Sequence, residues 1–236
     1  MDKTNKFIKL CFHFVSLPVS WIAMGLVWTN LFNFRVDYEK VKSFPFKNSE
    51  YPTTLINSLI IGEDHRFYLH KGFDPIAICR AAWKVFLQNE RQGGSTIEQQ
   101  LVRVLTSNYQ PTVVRKIREI LLASIVHLIF PKSDIPAMYL SIAYFGWQME
   151  GVEQVFKKLN IVENKITIMD SCTIVARLKY PEIKFPSMQT NQMIFNRSLH
   201  IYDRLIKKKC ITNRCSGLQG VASPFPPCSL ASLGGP

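Results

Sequence analysis

The stretch 62–74, GEDHRFYLHKGFD, opens on two adjacent carboxylates, Glu63 and Asp64. Two histidines, Arg66, Lys71 and Asp74 follow, interleaved with Phe67, Tyr68 and Phe73. A carboxylate pair among aromatics suits general acid–base work, because partial burial favours the protonated form of one group while its neighbour stays ionised. Taken alone, the pair reads equally well as a helix cap or as a partner of Arg66. A second stretch, GGST at 93–96, precedes the amphipathic run IEQQLVRVL. Mobile glycines, two hydroxyls and a helix N-terminus make an anion cradle, or else an ordinary loop and cap. Here the spacing of Ser95 and Glu98 predicts a capping box. A third, RKIRE at 115–119, places Arg115, Arg118 and Glu119 within about one turn. Arg115 and Glu119 stand at i,i+4, which also fits a solvated ion-pair face. The apolar run after Glu119 favours a buried helix whose charged end points into a cleft.

Helices must position these groups. TTLINSLIIGED reads as a helix ending at the acidic pair, with Leu55, Leu59 and Ile60 on its apolar face. Asp74-Pro75 predicts the next helix start, with Asp74 as N-cap. TVVRKIREILLASIVHLIF is apolar nearly all round after Glu119, so it is buried or touches lipid. Further helices are expected from Asp134, at about 166–178 and at about 190–207, and no alternating strand pattern stands out. The fold class is mainly α.

Before these helices, 10–34 contains no Asp, Glu, Lys or Arg, a run of about 25 residues against the ~20 that span a bilayer. Residues 1–9, with Lys3, Lys6 and Lys9, form a basic head that predicts the N-terminus on the cytoplasmic side and the rest outside. Residues 35–50 read as a polar connector opening a domain at 35–208, and the Gly-, Pro- and Ser-rich segment 209–236 reads as a disordered tail.

The chain has 236 residues, 47% of them hydrophobic, which excludes disorder throughout. Its formal charge of +12 fits an anionic partner: phosphorylated substrate, lipid headgroup or nucleic acid. Nucleic acid falls behind, because no zinc-finger spacing or basic-region heptad is present. The six cysteines are scattered without a CxxC pair, so neither a metal site nor a disulfide framework is indicated.

In combination and in this order, the three segments resemble the family 51 glycosyltransferases, the peptidoglycan polymerases that consume lipid II. The first family motif is matched by Glu63, Asp64, Phe67, His70, Gly72 and Asp74, with Arg80-Ala81 at the family distance. The second is matched by Gly93 or Gly94, Ser95, Thr96, Ile97, Gln99, Gln100 and Leu101, and the third by Arg115, Lys116 and Glu119. The fourth is partly kept, as Ile135, Tyr139, Leu140, Tyr144, Phe145 and Gly146. The resemblance covers about 45–207. The single apolar span before it and the short segment after it look like the monofunctional members.

The resemblance implies a lysozyme-like glycosyltransferase domain after a single transmembrane helix, anchored in the bacterial inner membrane with its catalytic domain outside. Glu63 would be the general base, taking the proton of the acceptor's 4-hydroxyl as it attacks the donor sugar with inversion. Undecaprenyl diphosphate would leave, and Glu119 would sit beside it, orienting it or holding a divalent cation, Mg or Mn. Substrate contacts would come from Asp64, Phe67, His70, Ser95, Thr96, Gln99, Gln100, Arg103, Arg115, Lys116 and Arg118. The implied partners are lipid II, the growing glycan chain, membrane lipid and cell-wall synthesis proteins.

The sequence also departs from the family pattern. Arg103 and Val104 stand for Lys-Asn, and Glu98 for the usual Thr. Ala137 and Ser141 replace the fourth motif's Glu and Asn, Trp147-Gln148 replace Asn-Gly, and His127 replaces a glutamate. Two alternatives to an active polymerase therefore stand: a degenerate lipid II-binding homologue, and a lysozyme-like lytic enzyme.

Overall fold

A computed structural model describes residues 3–46, 50–88 and 93–215, with only the backbone given for 3–5, 164 and 209–215. Ten α-helices carry the described chain. α1 (Lys3–Thr29) is followed by a 3-10 turn (Leu31–Asn33), α2 (Phe34–Lys42), α3 (Thr53–Glu63) and α4 (Pro75–Gln88). Then come α5 (Ile97–Thr106), α6 (Val113–Ile129), α7 (Ile135–Ile142), α8 (Val152–Lys158), α9 (Ile168–Lys179) and α10 (Met188–Cys215). The mainly α expectation holds. One small antiparallel hairpin, β1 (Tyr144–Gly146) with β2 (Met149–Glu150), was not legible in the sequence, because strands of three and two residues carry no alternation.

The apolar run 10–34 is not one helix. Asn30, Phe32 and Asn33 adopt left-handed backbone at φ 53°, 57° and 57°, which ends α1 and starts α2. The expected polar connector is therefore partly the helix α2, whose Phe34 and Val41 are buried. Lys6–Thr29 is long and apolar enough to cross a membrane. It exposes Trp21 and Trp28 and lies along α6, where the Ser20 hydroxyl donates to the Ser124 carbonyl at 3.0 Å. Segment 209–215 continues α10, and the remainder of the expected tail lies outside the described residues.

Caps set where the helices begin. Asp74 Oδ1 accepts from the Ala77 amide at 3.0 Å, as its sequence predicts. Thr112 caps α6, and Thr167 with Asp170 forms a full capping box on α9. At α5 the expected box is replaced. Thr96, not Ser95, is the N-cap and accepts from the Gln99 amide at 3.3 Å. Glu98 turns into the interior instead and pairs with Lys132.

The core gathers Leu55, Leu59, Ile97, Leu101, Ile125 and Met138 between α3, α5, α6 and α7. α3 packs on α9 and α10. That approach depends on Gly62, where a Cβ would come within 2.9 Å of Val175 and 3.2 Å of Ile201. The last turn of α3, and Glu63 with it, is thereby pressed between α9 and α10.

Candidate active site

The loop after Glu63 is a rigid scaffold. Asp64 is buried; a carboxylate only accepts, so His70 Nε2 carries the proton and donates at 3.0–3.1 Å. The Ile97 amide adds a third bond to Asp64 at 3.3 Å. Phe67 is fully buried under the Lys132 ammonium, 4.0 Å from its ring centre, and Lys132 also donates to the His70 carbonyl at 3.0 Å. Gly72, at φ +89°, lies so close to α6 that a Cβ would sit 1.9 Å from the Ala123 carbonyl oxygen. Its own carbonyl accepts from the Thr96 hydroxyl at 2.6 Å. Asp64, Phe67, His70 and Thr96, expected to touch substrate, are thus spent on holding this loop to α5 and α6. In this arrangement they hold the loop that carries Glu63.

Glu63 itself opens into a cleft of about 490 Å³ shared with Ser95, Gln100, Arg103 and Arg197. Its Oε2 accepts from Gln100 Nε2 at 3.1 Å. Its Oε1 faces Arg197 Nη2 at 3.4 Å, and the same nitrogen donates to the Gly62 carbonyl at 2.6 Å. The Tyr139 hydroxyl donates to Gln100 Oε1 at 2.6 Å. Burial, then the charge of Glu63, push the Tyr139 phenol well above its ordinary range, so it stays a neutral donor. Tyr139 therefore fixes which end of the Gln100 amide meets the carboxylate. Each Glu63 oxygen has one such partner, which leaves it further capacity to accept.

Beside it stands a second cluster. Glu119 is 3% exposed, and Arg103 grips it in a fork at 2.7 and 3.2 Å. Arg115 pairs with the same carboxylate from one turn away, and Lys116 lies 3.6 Å from it. Lys116 also donates to Gln99 Oε1 at 2.6 Å and to the Ser95 hydroxyl at 2.8 Å. Burial, with Arg103 and Arg115 adding to it against the pull of Glu119, lowers Lys116 to about 8. Burial opposes the Arg103 charge, but its hydrogen bond and attraction to Glu119 outweigh that and hold it above its ordinary value. Glu119 thus stands behind the cations and not in the open cleft. Arg118 is not part of the cluster. It pairs with Asp37, donates to the carbonyls of Phe32 and Asn33 at 2.9 and 3.0 Å, and covers the Phe34 ring. It ties α6 to the start of α2.

The expected divalent cation at Glu119 does not fit these residues. Both Glu119 oxygens are taken by guanidinium groups, and Arg103, Arg115 and Lys116 supply repelling positive charge where the ion would stand. The one triad of ligand-type side chains among the described residues is Asp64, His70 and Glu98, buried in the loop scaffold with Lys132 already paired to Glu98.

Sequence reasoning did not find Arg197, which reaches Glu63 from 134 positions away. Its lone-arginine context gave no signal. The altered fourth-motif positions lie in α7, where Ala137 packs at 8% exposure and the Ser141 hydroxyl bonds the Met138 carbonyl. Burial, with Lys71 and Lys132 nearby, lowers His127 to about 4, so it is neutral at pH 7 and does not restore the charge of a glutamate.

The family model described as Transglycosylase matches residues 31–205. Penicillin-binding protein 1A of Vibrio cholerae is 32% identical over 172 residues, 72% of this chain and 21% of that protein. Penicillin-binding protein 1A of Escherichia coli is 29% identical over 181 residues, 75% of this chain and 21% of that one. Penicillin-binding protein 1B of Haemophilus influenzae is 38% identical over 111 residues, 47% of this chain and 14% of it. The chain thus spans about a fifth of the length of the penicillin-binding proteins 1A it matches.

Proposed function

The chain belongs to the transglycosylase family, and on that premise we propose that it is a peptidoglycan glycosyltransferase that polymerises lipid II into β-1,4 glycan strands at the inner membrane. The observation that carries this reading is an accessible carboxylate, Glu63, in one cleft with Arg103, which belongs to a preassembled set of cations at Glu119. Glu63 takes the proton of the acceptor's 4-hydroxyl as that oxygen attacks C1 of the donor sugar. The bond from C1 to the diphosphate oxygen breaks, the configuration inverts, and undecaprenyl diphosphate departs. Charge then develops on the leaving diphosphate. Arg103 and Lys116, with Arg115 behind them, meet it as fixed donors that need no reorganisation at the moment of reaction. Glu119 is a positioning residue: it holds three cations close together that would otherwise repel. The Ser95 hydroxyl, bonded to Lys116 and Arg103, and Gln99 aim the ammonium.

A lytic reaction is less well supported. Glu63 is the single carboxylate among the described residues lining the cleft, whereas inverting hydrolysis needs a second one about 6.5–9.5 Å away to activate water. Polymerisation of labelled lipid II by the detergent-solubilised protein, with Glu63→Gln beside it, tests the reading. Glycan strands from the parent and a loss of about 100- to 10,000-fold in the variant are expected. Binding of lipid II without any strand in the parent points to the non-catalytic homologue, and clearing of purified sacculi points to the lytic enzyme.

A further inference from the structure

The junction of α1 and α2 has a built shape. Its backbone is left-handed at Asn30, Phe32 and Asn33, a conformation that asparagine tolerates and that strains a bulky residue such as Phe32. The strain is sustained from α6. Arg118 donates to the Phe32 and Asn33 carbonyls at 2.9 and 3.0 Å and pairs with Asp37 of α2. The turn leaves Phe32 76% exposed, and Trp28, Leu31 and Val36 are exposed with it. Four large apolar side chains within 28–36 make a poor surface for water. They suit a membrane interface. Lys6–Thr29 is long and apolar enough to cross a bilayer, and Trp28 stands at its C-terminal end, where aromatic residues collect at headgroup level. The same junction holds a cavity of about 460 Å³, lined by Asn30, Arg35, Val36, Glu39, Lys40 and Ser43. Both signs of charge meet in it. Arg35 and Glu39 stand at i,i+4 on α2, a spacing that also fits a solvated ion pair. In the structure they are not paired, and neither side chain has a hydrogen bond or ion pair among the described residues. Their order is also the less favourable one, because such pairs are stronger with the acidic member first. Lys40 leans on Asp37 at 3.6 Å, an aspartate that Arg118 already holds. A cation and an anion are thus left open side by side, just past the end of the apolar helix.

We propose that this elbow binds the headgroup of a zwitterionic phospholipid, with the phosphate at Arg35 and Lys40 and the ammonium at Glu39. The inference rests on the membrane placement in the reading above and not on the chemistry at Glu63. The Arg35 guanidinium presents paired donors that match phosphate oxygens. One helical turn further along α2, the Glu39 carboxylate meets an ammonium joined to that phosphate by a short linker. Val36 lines the same cavity and offers apolar surface to the glycerol end of the lipid. An anionic headgroup would satisfy Arg35 equally well but would bring its charge towards Glu39. The site therefore selects for a cation beside the phosphate.

The test is native mass spectrometry of the full chain in detergent, titrated with phosphatidylethanolamine or phosphatidylglycerol, for the parent, R35Q and E39Q. Both positions are exposed, so Tm in lipid-free detergent stays level. The parent binds phosphatidylethanolamine about 3- to 5-fold more tightly than phosphatidylglycerol. R35Q weakens both lipids by a similar factor, and R35K recovers part of the affinity. E39Q weakens phosphatidylethanolamine alone and removes the preference. Lipid II polymerisation in detergent stays at the parent's rate in every variant, which separates the elbow from the cleft, and the lipid titration itself needs no catalysis. Phosphatidylethanolamine bound by R35Q and E39Q with the parent's Kd overturns the site, since lipid that merely coats α1 is indifferent to both charges. A parent that binds the two lipids equally also overturns it. Should the full chain fail to enter vesicles, the membrane placement fails. Glycerophosphoethanolamine in solution then decides the site: weaker binding to R35Q and E39Q sustains it, and equal binding overturns it.

Discussion

Removing one oxygen, by Tyr139→Phe, tests whether the base is held by a relay through Gln100. The Tyr139 hydroxyl lies 2.6 Å from Gln100 Oε1, and Gln100 Nε2 lies 3.1 Å from Glu63 Oε2. Tyr139 is 6% exposed, so its ring packing survives the substitution. A neutral hydrogen bond contributes about 0.5–1.5 kcal/mol net, and an acceptor left bare in the interior costs ~1–3 kcal/mol. Gln100 is half-buried and water can reach it, which puts the stability loss at the low end, about 1 kcal/mol. For a chain of this size that lowers Tm by roughly 2–4 °C. The effect on catalysis has a different origin. Without the phenol nothing fixes the amide, and its carbonyl can turn towards the Glu63 carboxylate, where it repels. A fall in kcat of about 3- to 10-fold, with KM nearly unchanged, is expected from ~1 kcal/mol lost at the base. The assay is a double-mutant cycle with Gln100→Ala, read by lipid II polymerisation and by thermal unfolding. Once Gln100 is gone, Tyr139→Phe has little left to remove, so a coupling of about 1 kcal/mol is expected. Independent effects on kcat, the double variant losing the product of the two singles, would falsify the relay.

Three further outcomes follow from the same geometry. Arg103→Lys keeps the charge but loses the fork on Glu119, so kcat/KM falls by roughly 10-fold, which steady-state kinetics measures. Lys116 titrates at about 8 in the folded chain against an ordinary 10.5. The polymerisation rate should therefore fall as pH rises through about 8, and Lys116→Arg should move that limb upward. Between about 8 and 10.5 the folded chain has lost a proton that the unfolded chain keeps, so denaturant stability should rise with pH across that window. Lys132→Met leaves Glu98, fully buried, without its cation. A loss of about 3–5 kcal/mol in chemical denaturation is expected, with most of it recovered in Lys132→Met/Glu98→Gln.

What the sequence determined by itself was whatever neighbouring residues decide. α3 ends at Glu63 and α4 starts at Pro75 because apolar spacing and the Asp74 cap act within a turn or two. The order and spacing of the Glu-Asp, Gly-Ser-Thr and Arg-Lys-x-x-Glu segments were enough to point to the family. The interruption at Asn30–Asn33 lay beyond reach, because an apolar run shows its length but not a backbone turn inside it. Tertiary structure alone decided which way each charged side chain faces. Arg118 and Glu119 are consecutive, yet one points to Asp37 and the other to Arg103, since adjacent helical positions diverge and the partners come from other helices. The Ser95–Glu98 spacing fits a capping box, but burial against Lys132 offered Glu98 a stronger partner than a backbone amide. Asp64 matches the motif as well as Glu63 does. Only the packing of the loop under α5 and α6 shows that one carboxylate is consumed by His70 and Ile97 while the other is left open to the cleft. The cations that complete that cleft, Arg197 and Arg204, lie on a helix more than a hundred residues downstream. No local pattern marks them, because their meaning comes from the face of α10 that packing against α3 and α9 turns towards Glu63.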